Sequence, residues 1–112
     1  MRWLLLPLLC LLAAPLWGHA RLVDSTPAPD GTLDGAAVML HFSEPIQPRF
    51  SDFVLLDDGE RWRLEPELDG ERRRIRLALP AGLAPGAYVL DWQVLAEDGH
   101  TTSGRLPFTL AL

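Results

Sequence analysis

Alternating apolar and polar positions dominate the chain after its first twenty residues and indicate β-strands. In residues 88–95 every second side chain is apolar, so one face of a strand would be buried. Other segments show the same alternation or a short apolar run between turn residues. In all, the pattern predicts seven or so strands: an extended stretch before Gly31, and residues 36–42, 53–56, 61–64, 74–79, 88–95 and 106–110.

Turn-forming residues separate the predicted strands. Asp58-Gly59 and Asp69-Gly70 are tight-turn signals, and Pro80 to Gly86 supply a longer loop. No segment has the period of an amphipathic helix. About seven short strands at regular spacing predict an all-β, immunoglobulin-like Greek-key β-sandwich. Pro107 predicts that the last strand lies at a sheet edge or tolerates a missing backbone donor.

The first residues have the organisation of a secretory signal peptide. Met1-Arg2 precede an apolar run over residues 3–14, which is too short to span a bilayer. Cleavage after Gly18 would make His19 the N-terminal residue. Cleavage after Ala20 fits the small-residue rule slightly better and would remove His19. Both cuts stay open at this point.

Composition narrows the class of protein further. The 112 residues suit one domain. Cys10 lies in the leader after two leucines, so we do not expect it to carry a lipid, and the mature chain would have no thiol. The formal net charge is −5 and every basic residue is arginine, which argues against nucleic acid as a partner. The run Arg72-Arg73-Arg74, with Arg76, is expected to be a solvated strand face that pairs with acids such as Glu65, Glu67 and Glu71.

Few residues can carry chemistry, because the chain has three histidines. His41 falls on the outward side of its predicted strand and is interpreted as an ordinary surface residue. Asp98-Gly99-His100 follows directly after residues 88–95 and has two interpretations. Asp-Gly is a common turn signal, which makes a simple turn the favoured interpretation of the triplet alone. The alternative is that the turn presents a carboxylate and an imidazole to one metal ion.

A third donor from elsewhere would favour the metal site. As the N-terminal residue, His19 would offer its α-amine and its ring Nδ1, which close a chelate ring on a metal. The α-amine has a pKa of about 8 and loses its proton to a metal at modest cost. With His100 and Asp98 the set becomes three nitrogens and one oxygen, which favours copper(II). Copper(I) prefers soft sulfur ligands, and after processing only Met39 would supply one.

The mature chain resembles the CopC family of bacterial periplasmic copper-binding proteins over essentially all of residues 19–112. The matching pieces are His19-Ala20 after a leader, Ser-Thr-Pro-Ala-Pro-Asp-Gly at Ser25 to Gly31, Leu40 to Pro45, and Asp98-Gly99-His100 followed by Ser103-Gly104 and a last strand through Phe108.

The resemblance implies an immunoglobulin-like sandwich that binds copper(II) through His19, Asp98 and His100. It also favours cleavage between Gly18 and His19, which gives a signal peptide at residues 1–18 and a copper-binding domain at residues 19–112. The methionine-rich copper(I) site of some family members is missing. Glu44 could orient a ligand through a hydrogen bond, although an exposed loop glutamate is the simpler interpretation.

The function implied is that of a periplasmic carrier or buffer of copper(II), without catalysis. The resemblance implies an inner-membrane copper transporter as the partner, and no stable membrane insertion is expected after processing. A copper oxidase or monooxygenase with a histidine brace is the alternative from the enzyme class. It is disfavoured because the chain is small and its one tyrosine, Tyr88, falls on an apolar strand face. A metal-free interaction module becomes the leading hypothesis if cleavage falls after Ala20.

Overall fold

The computed structural model describes residues 20–111, which form nine β-strands and one short 3-10 helix at Pro48–Phe50. No helix in this part of the chain is long and apolar enough to cross a bilayer. The strands are β1 (Leu22–Thr26), β2 (Gly31–Leu33), β3 (Ala37–Phe42), β4 (Asp52–Asp57), β5 (Glu60–Arg63), β6 (Pro66–Leu68), β7 (Arg74–Ala78), β8 (Gly86–Leu95) and β9 (Thr101–Leu110).

The strands form two sheets, which confirms the predicted all-β sandwich. One sheet has the order β1-β3-β7-β6 and the other has the order β2-β9-β8-β4-β5. All neighbours pair antiparallel except β2 and β9, which are parallel. The number of strands is nine rather than about seven. The two additional strands, β2 and β6, have three residues each, which is too short for an alternating pattern to be recognised.

The core between the sheets is built from the apolar positions of the alternating segments. Along β8 the side chains of Tyr88, Leu90, Trp92 and Val94 are buried. Phe42 of the opposite sheet packs edge-on against Trp92, with their ring centroids 5.1 Å apart. The aromatic and aliphatic area removed from water here is the main stabilising contribution to the fold.

The last strand is not an edge strand, contrary to one of the two expectations drawn from Pro107. β9 pairs with β8 along its whole length, and β2 covers its other side at residues 108–110. The Pro107 carbonyl accepts a hydrogen bond from the backbone N–H of Asp30 at 2.7 Å. Since the amide and carbonyl of a strand residue face the same side, the missing donor of Pro107 faces away from β8. The strand therefore tolerates proline without losing a bond to β8.

One end of the sandwich gathers the segments that the sequence singled out. β8 and β9 are joined there by residues 96–100. The start of β1 lies beside the segment after β3, because Ser43 N–H donates to Arg21 O at 2.8 Å, and that segment lies beside the connection, because Glu97 N–H donates to Pro45 O at 3.3 Å. The bridge between Ile46 and Ala96 ties the segment after β3 to the end of β8. The strand ends therefore fix the positions of Asp98 and His100.

Candidate metal centre

The β8–β9 connection is a tight turn that depends on Gly99. The backbone N–H of Ala96 donates to His100 O at 2.9 Å, and that of Gly99 donates to Ala96 O at 3.0 Å. Gly99 has φ of 95°, a conformation that glycine adopts without the steric cost of a side chain. The Asp-Gly turn signal is confirmed, and the turn presents the two flanking side chains at the end of the sandwich.

The structure brings Asp98 and His100 into direct contact. Asp98 Oδ1 accepts a hydrogen bond from the backbone N–H of His100 at 3.0 Å, and Oδ2 lies 2.8 Å from Nδ1 of the imidazole. A carboxylate can only accept, so this contact assigns the ring proton of the neutral imidazole to Nδ1 and its lone pair to Nε2. Asp98 therefore orients His100, and each carboxylate oxygen has further lone pairs with which to bind a cation.

Both side chains are accessible from solvent. The exposed fraction is 58% for the His100 side chain and 35% for that of Asp98. A metal ion held here would sit at the surface, where ligands from another molecule can reach it.

The start of the described chain lies beside the same turn. Ala20 is fully buried, and its carbonyl accepts a hydrogen bond from the Thr102 hydroxyl at 2.7 Å. Arg21 N–H donates to Ser43 Oγ at 2.9 Å, and Ser43 N–H donates back to Arg21 O at 2.8 Å. Position 19 is covalently bonded to Ala20, with consecutive Cα atoms about 3.8 Å apart. Ala20, the residue that follows position 19 in the sequence, is therefore anchored to β9 two residues after His100.

The third predicted ligand, His19, lies outside the described residues, as do the predicted signal peptide and Cys10. Within residues 20–111 no group of three or more His, Cys, Asp or Glu side chains is arranged to hold a metal ion. Asp98 and His100 are two donors of the predicted set, and the predicted third ligand is His19.

Charged residues of the β6–β7 turn support the site from one side. Arg72 forms an ion pair with Glu97, the residue before Asp98. The Arg73 guanidinium donates to the Ser43 carbonyl at 3.0 Å. The pairing predicted for the arginine run is thus only partly right. Arg76 binds the predicted partner Glu67, at 3.1 Å, whereas Arg72 pairs with Glu97. The sequence could not indicate that Arg72 would reach Glu97, since that contact depends on how two turns meet.

Glu44 and His41 are the remaining residues that the sequence analysis considered. Glu44 is half-buried in the segment after β3, and its neighbour Pro45 accepts a hydrogen bond from Glu97 N–H at 3.3 Å, so this segment borders the site. His41 lies on the outward side of β3, between Asp24 of β1 and Arg74 of β7 in the strand register. This placement agrees with its interpretation as a surface residue.

Sequence reasoning missed Ser43 and Thr102. Their one visible signal was position: Ser43 directly follows the β3 pattern, and Thr102 falls two residues after His100. Neither residue type is a metal ligand of choice, and their roles become visible only through their contacts with residues 20 and 21.

Known proteins that are similar in sequence point to one family. The CopC domain family model matches residues 22–111. Protein YobA of Escherichia coli K12 is 32% identical over 105 residues, covering 89% of this chain and 85% of that protein. The copper transport protein CutJ of Bacillus subtilis is 29% identical over 116 residues; the match covers 97% of this chain but 21% of CutJ.

Solved structures agree in fold. The crystal structure of CopC from Methylosinus trichosporium OB3b matches with a TM-score of 0.73 and 30% identity, covering 82% of this chain and 93% of that one. PcoC, a methionine-rich copper resistance protein from Escherichia coli, matches with a TM-score of 0.68 and 22% identity, covering 83% and 99% of the two chains. The second likeness supports the fold alone.

Proposed function

The chain belongs to the CopC domain family, and from that premise we propose that it is a periplasmic copper(II) carrier or buffer that binds one ion through His19, Asp98 and His100. The copper transport protein CutJ is similar to this chain over 97% of this chain's length, which supports a role in handling copper. In this proposal His19 supplies its α-amine and one ring nitrogen, His100 supplies an imidazole nitrogen, and Asp98 supplies a carboxylate oxygen.

The observation that carries the proposal is the contact between Ala20 and Thr102. The hydrogen bond at 2.7 Å fixes the residue after position 19 against β9, the strand that directly follows His100. A histidine at position 19 begins within one residue of that anchor. The geometry thus supports the meeting of an N-terminal histidine with the Asp98–His100 pair.

The same contact favours cleavage after Gly18. Ala20 is a buried residue of the core, with 0% of its surface accessible to solvent. Cleavage after Ala20 would remove a core residue and the acceptor of the Thr102 hydroxyl, which carries a cost in free energy. We therefore propose a signal peptide at residues 1–18 and a mature domain at residues 19–112.

The donor set and its exposure support copper(II) cargo rather than catalysis. Three nitrogens and one oxygen suit a tetragonal copper(II) ion. Met39 lies on the outer face of the β1–β3 sheet, on the same side of β3 as His41, and is a single thioether. A surface ion can pass to an acceptor by stepwise ligand exchange, and we propose an inner-membrane copper transporter as that acceptor.

The test combines mass spectrometry of the exported protein with a copper(II) titration followed by electron paramagnetic resonance. We expect a chain that starts at His19 and binds one copper with nitrogen-rich tetragonal parameters. His100→Ala should remove the tight site, whereas His41→Ala, the matched histidine control, should keep it. A chain that starts at Arg21, or a His19 start with only loose copper binding, would contradict the proposal.

A further inference from the structure

Two hydroxyl side chains hold the residues that follow position 19. We call Ala20-Arg21 the N-terminal arm. The Thr102 hydroxyl donates to the Ala20 carbonyl at 2.7 Å, and Ser43 Oγ accepts from the Arg21 N–H at 2.9 Å. Thr102 belongs to β9 and Ser43 follows β3, so each sheet contributes one anchor. The arm is thereby anchored to both sheets, with Ala20 buried and Arg21 exposed.

Thr102 and Ser43 differ in the number of contacts they make and in their distance along the chain from His100. Ser43 is also an acceptor for Arg73 and pairs through its backbone with Arg21, so its substitution would disturb several contacts. Thr102 is half-buried and contacts the arm through its hydroxyl. The acceptor is the carbonyl of the residue directly after position 19, and the donor lies on β9, two residues after His100.

This arrangement couples the direction of the arm to the position of His100. Chain ends are poorly ordered unless they are tied down. A donor group on a tether binds a metal held by other ligands at an effective concentration that depends on how tightly the tether is fixed. A hydrogen bond one residue from the tethered group restricts that tether more than any anchor farther along the chain.

We propose that Thr102 is a positioning residue for copper(II), which sets affinity by holding the Ala20 carbonyl and so aiming the N-terminal nitrogens at the Asp98–His100 pair. The inference rests on the proposed function. Loss of one hydrogen bond corresponds to an expected loss of copper affinity of about fivefold to tenfold. Thr102 does not touch the metal, so the number of ligands at saturation stays the same.

The experiment uses the exported chain with its His19 start verified by mass spectrometry. Thr102→Val keeps the shape of the side chain and removes the hydroxyl, and Thr102→Ser keeps the hydroxyl and removes the methyl group. Thr109→Val is the matched control, because Thr109 is exposed on the same strand at the opposite end of the sandwich. Copper(II) affinity is measured by competition with a chromophoric chelator, with paramagnetic resonance at substoichiometric copper.

A second readout needs no copper. Amide order parameters of residues 20 and 21 are measured by nuclear magnetic resonance in the metal-free protein, together with thermal stability. We expect Thr102→Val to lower these order parameters and weaken copper binding, while Thr102→Ser and Thr109→Val behave like the wild type. If Thr102→Val does not fold, Thr102→Ala is measured in the same way.

Three results would overturn the inference. One is unchanged copper affinity in a folded Thr102→Val protein. Another is an equal loss in Thr102→Ser, which would make the methyl group responsible. The third is an equal loss in Thr109→Val. Failure of the wild-type chain to bind copper tightly would instead contradict the proposed function, and the order parameters still report whether Thr102 holds the arm.

Discussion

The indole ring of Trp92 lies directly over Gly104, its partner across β8 and β9. A Cβ atom at position 104 would lie 2.5 Å from Cζ2 and 2.8 Å from Cε2 of the indole, closer than real Cβ contacts allow. Trp92 is buried and packs edge-on against Phe42, so a shift of the ring would disturb this packing. Position 104 therefore requires glycine, because the Cβ atom of any other residue would collide with the indole of Trp92.

Gly104→Ala should destabilise the fold by about 1–3 kcal/mol, the usual cost of forcing extra volume into a packed core. Urea denaturation of the metal-free protein measures the change. Gly35→Ala is the control, because an added Cβ at Gly35 would meet nothing within 4 Å. Equal stability of the Gly104→Ala protein and the wild type would show that the indole can shift without cost.

Tyr88 provides a prediction for alkaline pH. Burial raises the pKa of its phenol, and the negative charges of Asp57 and Glu60 raise it further. The hydroxyl also donates to the Ala84 carbonyl at 2.6 Å. Because the folded state prefers the neutral phenol, its contribution to stability is complete below the unfolded pKa of about 10 and is lost as the pH rises through the folded value.

The chain has one tyrosine, so phenolate absorbance reports on Tyr88 alone. We expect its ionisation midpoint to lie above 10 in the folded protein, and near 10 in urea. Asp57→Asn should lower the folded midpoint, since it removes one neighbouring negative charge. A folded midpoint equal to the unfolded one would refute the expectation.

The strands of this fold were predictable because their apolar side chains repeat every second residue. Phe42, Leu90 and Trp92 all fall on the buried sides that the alternation assigns to them. Strand β2 was not predicted because its three residues have no such repeat, and its stability comes from parallel pairing with the distant β9. The beginning of β9 was also missed, since residues 101–105 carry few apolar side chains.

The candidate site was predictable only in part. Asp98 and His100 were indicated by local spacing, because a turn between them suffices to bring them together. Ser43 and Thr102 act on residues that are 22 and 82 positions away in the chain. Such contacts depend on how β1, β3 and β9 are arranged in two sheets, which local patterns do not specify.

The Asp98 carboxylate combines two tasks that one substitution can separate. Its Oδ1 accepts from the backbone N–H of His100 and closes the turn, whereas Oδ2 lies against Nδ1 of the ring. Asparagine can retain the first contact through its carbonyl oxygen. Its amide nitrogen cannot accept a hydrogen bond from the imidazole N–H, and the negative charge is lost.

Asp98→Asn should therefore leave the fold intact and reduce copper(II) affinity by at least about tenfold, since partners that orient a metal-binding histidine commonly contribute that much. Chelator competition on the chain starting at His19 measures affinity, and urea denaturation measures stability. Asp58→Asn is the matched control: Asp58-Gly59 forms the β4–β5 turn at the other end of the sandwich, and Gly59 has φ of 87° against 95° for Gly99. Unchanged affinity in Asp98→Asn would remove Asp98 from the site. An equal loss in both variants would assign the effect to net charge rather than to the contact with His100.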